Sequence, residues 1–195
     1  MQKSRLAALS LRLAGWQIES ELPPLKKYII LGVPHTSNWD GVMLVAVSQA
    51  LGQPMAFMIK DSWVKGPLAP VMRRLGAIAI DRDRAGNVVD QMIAEMNHRD
   101  RLVLVVPPEG TRGRAEHWKS GFYRIALGAK VPVVPGYLDF GRKRVGFGPP
   151  LEMTGDVRAD MDRIRAFYAE HAPIAHDPDG FGPIRLREEM EAAGG

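Results

Sequence analysis

The sequence contains no cysteine and no long hydrophobic run. The absence of cysteine excludes disulfide bonds, thiolate catalysis and cysteine-ligated zinc. No stretch approaches the roughly 18 to 20 consecutive apolar residues that a membrane-spanning helix requires. His176 and Asp177 lie in a segment with turn composition rather than in a pattern of metal ligands. We therefore expect neither a metal site nor a bound cofactor.

What the chain does contain is typical of one folded domain. Its 195 residues favour a single domain of ordinary size, and 46% of them are hydrophobic, which is enough for a core. The net charge of +4 favours anionic partners such as phosphates or lipid headgroups. The basic residues are scattered and are not interleaved with aromatic residues, so we expect no nucleic-acid partner.

Apolar segments of strand length alternate with helical patterns along the chain. The predicted strands are residues 28–33, 55–59, 77–80, 102–106, 132–137 and 143–147. The predicted helices are residues 3–16, 41–51, 66–74, 87–98, 120–128 and 160–171, with a helix end over 188–195. This alternation predicts a single α/β domain, layered, with a mostly parallel central sheet flanked by helices.

The first helical segment has an amphipathic pattern. We therefore expect two parts of the chain: an N-terminal helix, residues 1–22, and an α/β domain, residues 23–195. Apolar residues recur at helical spacing, and basic residues lie elsewhere on the helical wheel. One interpretation is a helix on a membrane surface. The other is a terminal helix packed on the core, and the pattern alone leaves both open.

His35 and Asp40 directly follow the predicted strand 28–33. A histidine takes up a proton near neutral pH, and a nearby carboxylate can fix its tautomer and stabilise the imidazolium. Ser37 lacks the Gly-x-Ser-x-Gly context of a hydrolase nucleophile, and we expect at least one of Thr36, Ser37 and Asn38 to cap the following helix. The pair therefore suits an enzyme that activates a hydroxyl group of its substrate.

A second polar segment, Glu109 to Arg112, follows the predicted strand 102–106. Gly110 allows the backbone to approach a ligand closely, and Arg112 offers planar donors for a phosphate. Because sites in parallel sheets form beyond the carboxyl ends of strands, we expect this segment and His35 to open onto one cleft.

Four blocks occur in order along the chain: His35-x4-Asp40, Gly76 to Arg82, Pro108-Glu109-Gly110-Thr111-Arg112 and Val131 to Pro135. Together they resemble the glycerolipid acyltransferase family, which includes the lysophosphatidic acid acyltransferases. The resemblance implies a glycerol-3-phosphate acyltransferase-like fold. It also implies an O-acyltransferase that moves a fatty acyl group from acyl-CoA or acyl carrier protein to the hydroxyl of a lysophospholipid, and it favours 1-acylglycerol-3-phosphate.

The resemblance also implies roles for particular residues. His35 would be the general base and Asp40 its orienting partner. The acceptor would be bound by Arg82, Glu109, Gly110, Thr111, Arg112 and Lys119.

The partners implied are the thioester donor, the lysophospholipid and a membrane surface, so we expect a cytoplasmic protein that is peripheral at the inner face of the membrane. Two alternatives remain: a different lyso-lipid acceptor, and a non-catalytic module that binds lipid or acyl carrier protein. Binding alone would need neither His35 nor Asp40.

Overall fold

The computed structural model describes residues 2–189, apart from residues 65, 68 and 81–86. The helices are α1 (Arg5–Leu13), α2 (Trp39–Leu51), α3 (Ala69–Arg74), α4 (Asn87–His98), α5 (Gly121–Ala129) and α6 (Val157–His171). The strands are β1 (Gln17–Ile18), β2 (Lys27–Val33), β3 (Ala56–Lys60), β4 (Ala77–Ile80), β5 (Leu102–Val106), β6 (Val133–Asp139) and β7 (Arg144–Phe147). Two short 3₁₀ helices span Asp61–Val64 and Pro178–Gly180.

The strands form one seven-stranded sheet in the order β1-β7-β6-β2-β5-β3-β4. Strand β2 lies at the centre and pairs in parallel with both β5 and β6. Strand β7 turns back and pairs with β6 in the antiparallel sense. The predicted single α/β domain with a mostly parallel sheet is therefore confirmed.

Helices cover both faces of this sheet, which explains why its central strands are apolar throughout. All five residues of β5 are buried. Alternate residues of β2 and β5 pack beneath α1 and α2 on one face, and their neighbours pack against α4, α5 and α6 on the other. A parallel strand buried on both faces has a continuous apolar sequence, because neither face contacts water.

Helix α1 is tied to α2, against which it packs. The Ser4 backbone N–H donates to the Gln49 carbonyl at 2.9 Å, and the Ser4 hydroxyl caps α1 by accepting the Ala7 N–H at 3.2 Å. Leu11 is buried in the layer between α2 and the sheet. No helix in the described part of the chain is both long and apolar enough to cross a lipid bilayer.

Some element ends differ from the sequence prediction for local reasons. Helix α6 begins at Val157 rather than at residue 160, because the Asp156 carboxylate accepts the Ala159 N–H at 3.0 Å and caps the helix earlier. Strand β1 was not predicted, since two residues carry no periodic pattern. Most of the predicted helix end over 188–195 lies outside the described residues.

Candidate active site

His35 and Asp40 face each other beyond the end of β2. His35 lies in the connection after the strand, and Asp40 lies in the first turn of α2. The His35 Nδ1 atom is 3.1 Å from the Asp40 Oδ2 atom. The imidazole is 21% exposed and the carboxylate 8%, so the histidine is the more accessible of the two groups.

Asp40 also orders the loop that carries the histidine. Its Oδ2 atom accepts the backbone N–H of Thr36 at 2.9 Å and that of Ser37 at 2.8 Å. Its Oδ1 atom is buried and has no hydrogen-bond partner among the residues that the structure describes. Because the Asp40 carboxylate contacts the His35 ring and accepts the backbone N–H groups of Thr36 and Ser37, the imidazole has a fixed position relative to α2.

The expected helix cap is confirmed for Ser37. Its hydroxyl accepts the Trp39 N–H, the first of α2, at 3.0 Å. Asn38, the residue before the helix, makes no side-chain cap bond. The buried Thr36 hydroxyl instead accepts a backbone N–H from Asp177, at 3.1 Å.

Glu109 connects the loop after β5 to the histidine loop. Its side chain is buried, with Oε1 accepting the backbone N–H of His35 at 3.0 Å. Burial raises the pKa of this carboxyl to about 7, although the N–H groups that it accepts act in the opposite direction. The carboxylate lies behind the loop and is not among the described side chains that line the cleft, so its predicted contact with an acceptor stays a prediction.

A cleft of about 1310 Å³ opens beside these loops. His35 and Asp40 line it together with Gly110, Thr111 and Arg112, so the two polar segments meet at one site as the strand ends predicted. Most of the remaining wall is apolar and comes from α2 and the sheet beneath it, including Ile30, Met43, Val47, Met55, Phe57 and Val105.

Lys119, a predicted binding residue, is not among the described residues that line the cleft. Lys119 packs along Gly110: a Cβ on Gly110, where φ is +68°, would lie 2.8 Å from the Lys119 Cγ. Only glycine fits this contact. Arg82 lies outside the described residues, so its part in the site stays a prediction.

Sequence reasoning missed two cationic residues that line the cleft, Lys60 and Arg124. Lys60 ends β3 and therefore occupies the same edge of the sheet as His35 and Glu109. The sequence did carry a signal for Lys60 as a site residue, because it directly follows the apolar run of the predicted strand 55–59. Arg124 lies on α5, where an arginine is indistinguishable in sequence from any solvated helix residue.

No group of three or more histidine, aspartate or glutamate side chains in the described ranges is arranged to hold a metal ion. The expectation that the protein needs no cofactor stays a prediction.

Comparisons with known proteins show the family and the fold of this chain. The comparison with curated protein sequences gives no match. The crystal structure of the 1-acyl-sn-glycerophosphate (LPA) acyltransferase PlsC from Thermotoga maritima has a similar fold, with a TM-score of 0.60 at 18% sequence identity; the match covers 85% of this chain and 76% of that one. The family model described as Acyltransferase matches residues 17–139, which is more than half of the sequence. The chain therefore belongs to the Acyltransferase family and is an acyltransferase.

Proposed function

We propose that this acyltransferase moves a fatty acyl group from a thioester, acyl-CoA or acyl carrier protein, to the free hydroxyl of a lysophospholipid, with 1-acylglycerol-3-phosphate as the acceptor. The observation that carries the proposal is the 3.1 Å contact between His35 Nδ1 and Asp40 Oδ2 at the wall of a large apolar cleft. The two groups suit proton removal from an alcohol, and the apolar wall suits a fatty chain.

The proposed chemistry uses the second nitrogen of the imidazole. Because Nδ1 faces Asp40, Nε2 is the atom that can take the proton of the acceptor hydroxyl. The hydroxyl oxygen then attacks the thioester carbonyl carbon, the new ester C–O bond forms and the C–S bond breaks. The leaving thiolate takes the proton back from the imidazolium, so no acyl-enzyme is formed.

The charges around the cleft support a phosphorylated acceptor. Arg112 lines the same cleft as His35, and Lys60 and Arg124 add two further cationic groups. A guanidinium can bind a phosphate through two parallel hydrogen bonds. The acceptor phosphate would lie against these groups, with its free hydroxyl directed at His35.

Thiol release from acyl-CoA with a panel of lysophospholipids tests the reaction. His35→Ala should lower kcat by about 10²- to 10⁴-fold, the usual contribution of a positioned general base. His98→Ala, which alters an exposed histidine at the end of α4, is the matched control and should retain wild-type turnover. Full turnover in His35→Ala would refute the base assignment.

Arg112→Ala tests the phosphate site with the same assay. Loss of a phosphate contact should raise KM for a phosphorylated acceptor by about tenfold and leave KM for acyl-CoA unchanged. Arg158→Ala, an exposed arginine on α6, controls for the loss of one positive charge. An unchanged acceptor KM in Arg112→Ala would remove this residue from the phosphate site.

We further propose that the enzyme works at the cytoplasmic surface of a membrane and that α1 contacts the lipid. Leu6, Leu9 and Leu13 are 76%, 53% and 80% exposed, although Leu11 of the same helix is buried. Helix α2, which packs on α1, exposes Trp39 and Val42. Exposed apolar side chains beside basic residues favour a surface that carries anionic lipid.

Vesicle sedimentation tests this contact. Leu6→Ser with Leu13→Ser should lower binding to phosphatidylglycerol-containing vesicles by at least tenfold. Leu127→Ser with Ile174→Ser is the matched double variant, because it removes two exposed apolar side chains outside α1 and α2. Equal binding by both double variants would contradict the assignment of α1 as the lipid contact.

A further inference from the structure

The segment near the C-terminus, residues 177–186, lies across both loops of the active site. We call it the C-terminal segment. It contains one short 3₁₀ helix, Pro178–Gly180, and otherwise follows the loop that leads from β5 to α5. Nothing in the proposed reaction uses it directly, yet it contacts the residue next to His35.

Thr36 is the point where the C-terminal segment meets the histidine loop. Its side-chain hydroxyl accepts the Asp177 N–H at 3.1 Å, and its own backbone N–H donates to Asp40 Oδ2 at 2.9 Å. Thr36 is 7% exposed, and its bond to Asp40 is buried, so water competes little for that bond. Thr36 therefore joins the C-terminal segment to the carboxylate that faces the imidazole.

The backbone of the C-terminal segment also touches the second loop. A Cβ on Gly180 would lie 3.1 Å from the Arg112 carbonyl oxygen and 3.2 Å from the Thr36 Cγ2 atom. A Cβ on Gly182 would lie 2.0 Å from the Ala115 carbonyl oxygen. Gly182 accepts only glycine, and a side chain at Gly180 would displace its neighbours by a few tenths of an ångström, because the segment passes against the backbone of the loop that carries Arg112.

Further bonds fix the same segment along its length. The Arg114 guanidinium donates to the Phe181 carbonyl at 3.0 Å, and the Trp118 N–H donates to the Arg185 carbonyl at 2.7 Å. Leu186 is fully buried and anchors the end of the segment in the core. The segment is thus held at its far end by packing and at its near end by the Thr36 hydroxyl.

We propose that Thr36 is a positioning residue, through which the C-terminal segment sets the placement of His35 relative to Arg112. The proposal rests on the proposed function for its kinetic consequence. A misplacement of a reacting group by about 1 Å can cost on the order of 10²-fold in rate, so the loss of one positioning contact should lower kcat measurably.

Thr36→Val is the decisive variant, because it keeps the shape of the side chain and removes the acceptor of the Asp177 N–H. We expect hydrogen exchange of the Asp177 amide, followed by NMR, to accelerate at least tenfold. We expect kcat to fall about tenfold while KM for acyl-CoA changes less than twofold. Thr36→Ser keeps the hydroxyl and should restore both quantities to within about twofold of wild type.

Thr154→Val controls for a general loss of stability. Thr154 also bonds through its hydroxyl, to Asp160, and it is not among the described residues that line the cleft. It should lower Tm without lowering kcat. If Thr36→Val does not fold, Gly180→Ala takes its place, because the added methyl group displaces the C-terminal segment and leaves the Thr36 hydroxyl intact. Gly180→Ala should lower kcat about threefold.

The outcomes separate this proposal from the proposed function. Faster Asp177 exchange with unchanged kcat in Thr36→Val would overturn the positioning role, and lowered kcat with unchanged exchange would overturn the role of the segment. If the wild-type enzyme transfers no acyl group, the proposed function fails. The NMR resonances of the His35 ring then test the positioning role of Thr36. They are assigned by their loss in His35→Gln. They should shift in Thr36→Val and not in Thr36→Ser; unshifted resonances would overturn the proposal.

Discussion

Two buried carboxylate sites in this molecule are built in opposite ways. Asp160, at the start of α6, has both carboxylate oxygens hydrogen-bonded. Its Oδ2 atom accepts from the Tyr123 hydroxyl at 2.8 Å and from the Thr154 N–H at 2.7 Å. Its Oδ1 atom accepts from the Thr154 hydroxyl at 3.0 Å and from the Arg163 guanidinium. In the loops beside the cleft, Asp40 Oδ1 and Glu109 Oε2 are buried without a partner among the described residues.

Ionisation of the carboxyl groups reflects this difference. Burial alone would raise the pKa of Asp160, but the hydrogen bonds from Tyr123, Thr154 and Arg163 hold it below the ordinary value. At Glu109 burial dominates and the pKa rises to about 7. Both oxygens of Asp160 are bonded, whereas the candidate active site keeps two buried carboxylate oxygens without partners among the described residues, at a cost in stability.

The largest effect that this comparison predicts is on activity, at Asp40. Asp40→Asn keeps the size of the side chain and removes the charge that faces the imidazole. We expect kcat to fall by about 10²- to 10⁴-fold, because the ring loses the group that fixes its tautomer and stabilises the imidazolium. The measurement is kcat by thiol release, with Tm as the control for folding. Wild-type kcat in Asp40→Asn would place the chemistry elsewhere.

The opposite result is expected at Asp160. Asp160→Ala leaves the Tyr123 hydroxyl and the Thr154 N–H without their acceptor, so the free energy of unfolding should fall by about 3 to 5 kcal/mol. The kcat of the folded fraction should stay within twofold of wild type. Urea denaturation followed by circular dichroism measures the first quantity. A variant that is as stable as wild type but slow would reverse the roles assigned to the two carboxylates.

Glu109 should make stability depend on pH. Because its pKa in the folded protein is raised to about 7 from an unfolded value of 4.5, the folded state holds a proton that the unfolded state releases. Its contribution is present at low pH and is lost as the pH rises through about 7. Glu109→Gln, which resembles the protonated form, should remove this loss.

The expected size follows from the shift. Between pH 5 and pH 8 the wild type should lose about 2 to 3 kcal/mol of unfolding free energy relative to Glu109→Gln. Urea denaturation of both proteins at several pH values measures the difference, in which the titration of other groups cancels. Parallel stability curves for the two proteins would mean that the carboxyl titrates normally.

The sequence predicted the parts of this molecule that depend on local pattern. The buried strand β5 is a continuous apolar run, and His35 and Glu109 both follow strands, so their convergence at one edge of the sheet could be expected. Asp160 had no such signal, because two of its partners, Tyr123 and Thr154, come from α5 and from the turn before α6. The bond between Thr36 and Asp177 joins residues far apart in sequence and carries no motif.

The smallest effect concerns Ser37, which stands between the two catalytic candidates. Its hydroxyl accepts the Trp39 N–H and so caps α2, while its backbone N–H is what bonds to Asp40. Ser37→Ala removes only the cap and should lower the free energy of unfolding by about 1 kcal/mol. Because the backbone N–H and the His35–Asp40 contact survive, kcat should stay within twofold of wild type. A loss of kcat comparable with that of Asp40→Asn would mean that the Ser37 hydroxyl takes part in acyl transfer.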